Sequence, residues 1–236
     1  MNLPRDLLAP IPPAPAEHWD LVPPPAESGE PLIDPTTLSP HITYGAAYLC
    51  QGLPGAPDRC LVRQGLALRL VQAAEKLPEG WSILIFDGLR TMRLQQAIYD
   101  QFREVVTRER PQASPAEIEM VLETFVAKPV KRWNRPAPHS TGGAVDLTLS
   151  QNGIALDMGT GFDDLTAMAH TDWLERSCSP GQEHCRDARR ILYHLMTSAG
   201  LVNYPCEWWH YAYGERQWAV RTGKTPFYGY CEECDG

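Results

Sequence analysis

The chain contains no apolar run approaching the roughly 20 residues that a bilayer-spanning helix requires, so no membrane span is expected. It also lacks positive charge in excess: 21 Lys and Arg against 29 Asp and Glu leave a net charge of −8. Nucleic acids and anionic membrane surfaces both need a basic face, so neither is the expected main partner, and a small-molecule substrate is favoured. The first ten residues, Met1 to Pro10, lack the continuous apolar core of a secretory signal. A cytoplasmic location is the expectation, with a periplasmic one as the alternative if a signal has been removed. There is no internal repeat. Cysteine is sparse and odd in number, seven in all: Cys50, Cys60, Cys178, Cys185, Cys206, Cys231 and Cys234. In a reducing compartment these stay free; in an oxidising one Cys50 with Cys60, and Cys178 with Cys185, are candidate pairs.

Proline is abundant, with 22 residues, and it crowds the first 40 positions. Proline fixes φ and removes a donor, so residues 1–40 are read as an extended arm rather than a helix. No linker divides the remainder, which is read as one catalytic domain over 41–230 with a short tail at 231–236. Val62, Leu66, Leu70, Ala73 and Leu77 recur at helical spacing until Pro78. Trp81 to Phe86 reads as a buried strand ending on Asp87-Gly88-Leu89-Arg90. A helix is predicted over 92–108, and another from Ser114, where Ser114-Pro115-Ala116-Glu117 combines an N-cap, a first-turn proline and a capping-box glutamate. Val145, Leu147 and Leu149 alternate with Asp146 and Thr148, which predicts a half-buried strand carrying a carboxylate. A last helix is predicted over 186–199, ended by Gly200, and an aromatic strand over 208–213. Helices and short strands do not alternate regularly. The fold class is therefore α+β, with a small, mostly antiparallel sheet flanked by helices.

The chemistry concentrates in two segments. In His139-Ser-Thr-Gly-Gly-Ala-Val-Asp146 a histidine precedes an aspartate by seven residues, and the two glycines permit a tight turn between them. Glu207-Trp208-Trp209-His210 follows later in the chain. Two histidines and a carboxylate make a three-ligand Zn²⁺ site with a fourth position left for water. A second carboxylate nearby, Glu207, suits proton transfer from that water to a leaving amine. Residues three apart on a regular strand point to opposite faces. Glu207 is therefore placed just before the strand, where Pro205 breaks regularity.

Together these segments resemble the VanX-like D-alanyl-D-alanine dipeptidases of the D-Ala-D-Ala metallopeptidase superfamily, peptidase family M15. The resemblance extends to Asp87-Gly88-Leu89-Arg90, to Tyr44 in Ile-Thr-Tyr-Gly, and to Met158-Gly159-Thr160-Gly161-Phe162-Asp163, and it covers roughly residues 30–228. It implies a hedgehog/D,D-peptidase-like fold holding one Zn²⁺ on His139, Asp146 and His210, with Glu207 as general base and then acid. Arg90 would stabilise the oxyanion, Asp87 would place Arg90, and Asp163 with Tyr44 would hold the ammonium group of a dipeptide. The family's usual serine two residues before the first zinc histidine is here Ala137, so an altered dipeptide preference is expected.

Two rivals accompany this reading. One is a D,D-carboxypeptidase or L,D-endopeptidase of the same superfamily acting on peptidoglycan stems; the other is an inactive zinc- or ligand-binding module. The Trp208–Trp209 pair is read as packing around the site. The run Arg186 to Arg190 is read as a solvated helix face, and Cys231-Glu-Glu-Cys234 is a weak candidate for a second, structural zinc.

Overall fold

The computed structural model describes residues 4–232; Cys234, and with it the Cys-x-x-Cys candidate, lies outside the described residues. Eight strands occur among the described residues. The first four are β1 (Leu32–Ile33), β2 (Ile42–Tyr44), β3 (Val62–Arg63) and β4 (Trp81–Asp87). They are followed by β5 (Ala144–Gln151), β6 (Ile154–Ala155), β7 (Val202–Asn203) and β8 (His210–Ala212). The helices are α1 (Ala47–Cys50), α2 (Gln64–Ala74), α3 (Met92–Glu109), α4 (Pro115–Phe125), α5 (Trp173–Arg176), α6 (Glu183–Ser198) and α7 (Arg216–Thr222).

Six strands form the central sheet in the order β2-β4-β5-β8-β7, with β6 paired to β5; β1 and β3 form a separate two-stranded ribbon. Only β2 runs parallel to its neighbour β4; the other pairings are antiparallel. This is an α+β fold with a mostly antiparallel sheet.

Side-chain alternation divides the sheet into a packing face and a working face. Ile83 and Ile85 of β4 pair with Leu149 and Leu147 of β5, and all four are fully buried. They share one apolar cluster with Leu66 and Leu70 of α2 and with Leu192, Leu195 and Met196 of α6. Burial of each such side chain contributes ~2 kcal/mol. A second cluster joins Leu94, Ile98 and Val106 of α3 to Ile118 and Leu122 of α4 and to Tyr48 of α1.

One irregularity decides which way the site faces. The β4–β5 register shifts between Ile85 and Asp87, so that Asp87 lies opposite Asp146. In a regular strand Asp87 would share the face of Ile83 and Ile85. The bulge at Phe86 turns it instead onto the face of Asp146. His210, the first residue of β8, is the register partner of Asp146 on the other side. Three sequence-distant residues, Asp87, Asp146 and His210, thus stand abreast on neighbouring strands.

Several elements differ from the sequence reading. Val62 belongs to β3, because pairing with Ile33 of β1 extends the chain there, and the helix begins at Gln64. The strand predicted from Trp208 starts at His210, and the last long helix starts at Glu183. Helix α7 was not foreseen; Glu215 caps it by accepting from Gln217 N and Trp218 N. At α4 the capping box is present in full, Ser114 Oγ accepting from Glu117 N and Glu117 Oε2 from Ser114 N. The run 186–190 is not a solvated face: Arg189 is 2 % exposed and Arg190 pairs with Glu175. The proline-rich arm lies against the domain. Ile11 is buried, Arg190 Nη1 donates to Leu8 O, and His194 Nε2 lies 2.9 Å from Ala9 O. Neither candidate cysteine pair is bonded: Cys50, Cys60, Cys178 and Cys185 are thiols, as is Cys206. No described helix is long and apolar enough to cross a membrane.

Candidate active site

Each member of the His139–Asp146 segment owes its place to local backbone chemistry. Pro138 opens a short 3₁₀ turn over Pro138–Thr141 that carries His139, and Gly142 ends it at φ +69°, where a side chain is disfavoured. At Gly143 a Cβ would meet Tyr213 O at 2.7 Å, so only glycine lets β5 begin against the chain leaving β8.

The ligand atoms converge. His139 Nε2 lies 3.2 Å from His210 Nδ1 and 3.3 Å from Asp146 Oδ1, and His210 Nδ1 lies 2.9 Å from Asp146 Oδ1. A tetrahedral ion with bonds of about 2.0–2.1 Å needs donor atoms about 3.3 Å apart, so the triangle has the size of a zinc site. The tautomer fits as well. His139 Nδ1 lies 2.7 Å from Gly88 O and donates to it, which directs the Nε2 lone pair at the other two ligands. All three residues are buried.

The electrostatics favour a cation. Asp87, Asp146, Asp163 and Glu207 gather around a single guanidinium, that of Arg90. Burial pushes the Asp146 carboxyl up, but the adjacent His139 and His210 overcome this and hold it well below the usual carboxylate range. Burial opposes the charge on His210, and Asp146 restores it, raising its pKa above the usual histidine value. Zn²⁺ is the ion that this borderline N/O donor set fits, and it would neutralise part of the negative excess.

Glu207 lies in the turn before β8, where Glu207 N donates to Tyr204 O and His210 N to Glu207 O. That turn solves the parity problem of a regular strand. It brings Glu207 Oε2 to 3.8 Å from His210 Nδ1, on the side of the ligands. Burial, reinforced by the charge of Asp146, raises the Glu207 pKa to about 7. This is the range in which a carboxylate both takes and returns a proton near neutral pH. A pH dependence follows: kcat/KM should fall about tenfold per pH unit once Glu207 is protonated. A bound divalent cation favours the carboxylate, so this limb should lie below pH 7 in the zinc-loaded enzyme. A pH–rate profile flat from pH 5 to 8 would contradict Glu207 as base.

Arg90 is fixed on three sides. Its Nε donates to Asp87 Oδ2 at 2.5 Å, and its Nη2 to Asp146 Oδ2 at 2.9 Å and to the Tyr48 hydroxyl at 3.3 Å. Tyr48 in turn donates to Asp163 Oδ2 at 2.9 Å. Burial raises the Asp163 pKa to about 8, against the pull of Arg90. Asp163 sits at φ +61° in a loop held at both ends by Arg189. That guanidinium donates to Met158 O and His170 O at 2.7 Å each and to Met168 O at 2.9 Å.

Tyr44, selected from the sequence, does not line the cavity. Its hydroxyl donates to Pro57 O, because β2 aims the side chain away from the site. Tyr48, four residues later, is the tyrosine against Asp163. The signal for it was slight: α1 is a single turn, and nothing local separates one tyrosine from the other. The sequence reading also missed Trp19 of the arm, the apolar wall of Ile98, Phe102 and Val126, and Gln217. All of these line a cavity of ≈ 260 Å³ with His139, Asp146, Asp163, Glu207 and His210. Trp209 also lines it, while Trp208 is held in the core by a bond to Thr160 Oγ1. A second group, Asp157, His184 and Cys185, also has convergent ligand atoms, but its aspartate and histidine are exposed.

Comparison with known proteins identifies the family. The chain is 32% identical to a D-alanyl-D-alanine dipeptidase of Synechocystis sp. over 87% of its own length and 94% of the relative's. It is 27% identical to a D-alanyl-D-alanine dipeptidase of Escherichia coli, covering 76% and 83% of the two chains. Among solved structures, a Zn(II) complex of the vancomycin resistance D,D-pentapeptidase VanY aligns at 20% identity with a TM-score of 0.42, over 71% of this chain and 83% of that one. The M15 peptidase family model described as D-Ala-D-Ala dipeptidase matches residues 53–225. By that match and the shared length, the chain belongs to the D-Ala-D-Ala dipeptidase family of M15 metallopeptidases.

Proposed function

We propose that this protein hydrolyses D-alanyl-D-alanine, or a closely related D,D-dipeptide, to free D-amino acids with one Zn²⁺ held by His139, Asp146 and His210. The observation that carries the reading is the shared cavity in which this ligand triangle, Glu207 and the Tyr48–Asp163 pair all meet. The relatives named above supply the D,D stereochemistry. The bound metal supplies Lewis acidity toward the peptide carbonyl and toward water.

The chain's own residues account for the other requirements of peptide hydrolysis. Glu207 accepts a proton from water beside the metal ligands and returns it to the leaving amine nitrogen. Arg90, held by Asp87 and Asp146, donates to the carbonyl oxygen as negative charge develops there. Asp163, aligned by the Tyr48 hydroxyl, receives the free ammonium group of the substrate. Phe162, stacked on Phe86 at 4.8 Å, packs against Tyr48 and Trp209 of the cavity lining. The cavity, ≈ 260 Å³, has room for a dipeptide. Ala137 lines it without a hydroxyl, the basis for an altered dipeptide preference.

The test is release of free D-alanine from D-Ala-D-Ala and from its N-acetylated form, with and without a chelator. Hydrolysis of the free dipeptide, loss of it on chelation and recovery on adding Zn²⁺ are expected. The N-acetylated form should react at least about a hundredfold more slowly, because a buried carboxylate is left without its charged partner. Equal release from both would support a D,D-carboxypeptidase instead. The same assay over a panel of D,D- and L,D-dipeptides reads the effect of Ala137; a strict preference for D-Ala-D-Ala would remove that expectation.

A further inference from the structure

We propose that Gln217 recognises the free C-terminal carboxylate of the substrate, its side-chain amide donating into the cavity. This deepens the dipeptidase reading and rests on it.

Gln217 belongs to the first turn of α7, is 2 % exposed, and lines the catalytic cavity. Its Nε2 has no hydrogen-bond partner. Among the buried side-chain atoms of the described residues that lack one, it alone belongs to a residue lining this cavity. Buried polar groups are ordinarily paired, and an orphaned donor on a residue that lines a ligand site is explained by what the ligand brings. Other buried donors of the lining already have work: Tyr48 gives its proton to Asp163, Gln95 Nε2 bonds Ala127 O, and Arg90, besides its bonds to Asp87, Asp146 and Tyr48, is assigned to the carbonyl oxygen. Ala137 and Pro138 contribute no side-chain donor.

Charge then separates the two ends of a dipeptide. Asp163, beside Tyr48 and Arg90, marks the ammonium end, so the carboxylate requires a neutral or positive donor away from it. Helix α7 packs against β7, the neighbour of β8, which begins at His210, while Tyr48 and Asp163 sit beside Arg90. Glu215 does not spoil the site, because its two oxygens accept the Gln217 N–H and Trp218 N–H at 2.8 and 2.7 Å. Those same bonds anchor the Gln217 backbone. An amide rather than a guanidinium also leaves the cavity's negative excess, which retains the metal, undiminished.

The experiment compares D-Ala-D-Ala with its C-terminal carboxamide on the zinc-loaded wild type, on Gln217→Met, which keeps length without a donor, and on Gln217→Glu, which reverses the interaction. Wild type should prefer the free acid. In Gln217→Met the KM for the acid should rise roughly tenfold to a hundredfold, the range of a hydrogen bond to a charged group. The carboxamide should lose less, so the acid-to-amide ratio of kcat/KM collapses. Gln217→Glu should push that ratio below one. Zinc content and melting temperature, read alongside, should not fall in Gln217→Met, since the change removes an unpaired buried donor. An unaltered acid-to-amide ratio in either variant, or a wild type indifferent to the carboxylate, overturns the proposal while leaving the dipeptidase reading intact. No D-alanine release from wild type overturns both.

Discussion

Glu207→Gln should lower kcat for D-Ala-D-Ala by about a thousandfold or more, with zinc content unaltered, the upper range for loss of a positioned acid/base. The substitution is nearly isosteric. Glu207 stands 3.8 Å from His210 Nδ1 rather than within the ligand triangle, whose edges measure 2.9–3.3 Å. Removing its charge therefore leaves the three donors in place, while the amide that replaces it can neither accept a proton from water nor return one to the leaving amine. Because Glu207 is buried and its pKa is raised to about 7 mainly by that burial, its ionised form costs folding free energy near neutral pH. The sign is that of a carboxylate raised above its unfolded value: stability falls as pH rises from the ordinary carboxylate range toward 7. The metal-free Glu207→Gln variant should accordingly melt no lower than wild type at pH 8. Residual activity above about one-tenth of wild type, with full zinc occupancy, would remove Glu207 from the role of base. Glu207→Ala serves as the second variant and should show the same loss.

Arg90→Lys should cost roughly a hundredfold to a thousandfold in kcat, the range for loss of an oxyanion donor. The reason is geometric rather than a loss of charge. The guanidinium spans Asp87 Oδ2 and Asp146 Oδ2 with different nitrogens and reaches the Tyr48 hydroxyl with the second of them. A lysine ammonium is a point charge that cannot hold two strand ends and face the substrate at once. Its effect should fall mainly on kcat, because the carbonyl oxygen gains most of its charge in the transition state. Arg90→Ala is the harsher case. It leaves Asp87 and Asp146, both 1 % exposed, without their cation and should destabilise the fold by about 3–5 kcal/mol. Steady-state kinetics and thermal melts on both variants separate the two effects. A lysine variant with wild-type kcat would exclude Arg90 from the reaction.

Much of this protein is readable without coordinates, and the reason is locality. The three proposed ligands and Glu207 lie in two short segments whose residue types and spacing are unusual enough to stand out, and the glycines between His139 and Asp146 announce a turn. The capping box at Ser114 and the strand at Val145 to Leu149 are likewise decided within a few residues, by hydrogen bonds and periodicities that act over one turn or one pleat. The strand is not half-buried as its alternation suggested, because Asp146 and Thr148 on its polar face are 1 % exposed. The placement of Glu207 outside the strand followed from parity alone.

Other features depend on segments far apart in the chain, and no window of sequence contains them. The bulge at Phe86 that turns Asp87 toward Asp146 has no glycine or proline to mark it; it exists because β5, two helices further along the chain, imposes the register. Tyr48 rather than Tyr44 meets Asp163 because β2 runs parallel to β4 and leaves α1 facing the working side of the sheet. Arg189 is charged and lies in a run with Arg186, Asp187 and Arg190, yet it is buried because three carbonyls of the 158–170 loop converge on it. Gln217 became notable only when a cavity was found beside its unpaired nitrogen. The sequence by itself determined which residues are the candidates for binding a metal and moving a proton. Tertiary packing decided which side chains surround them, since a partner's distance along the chain says little about its distance in space.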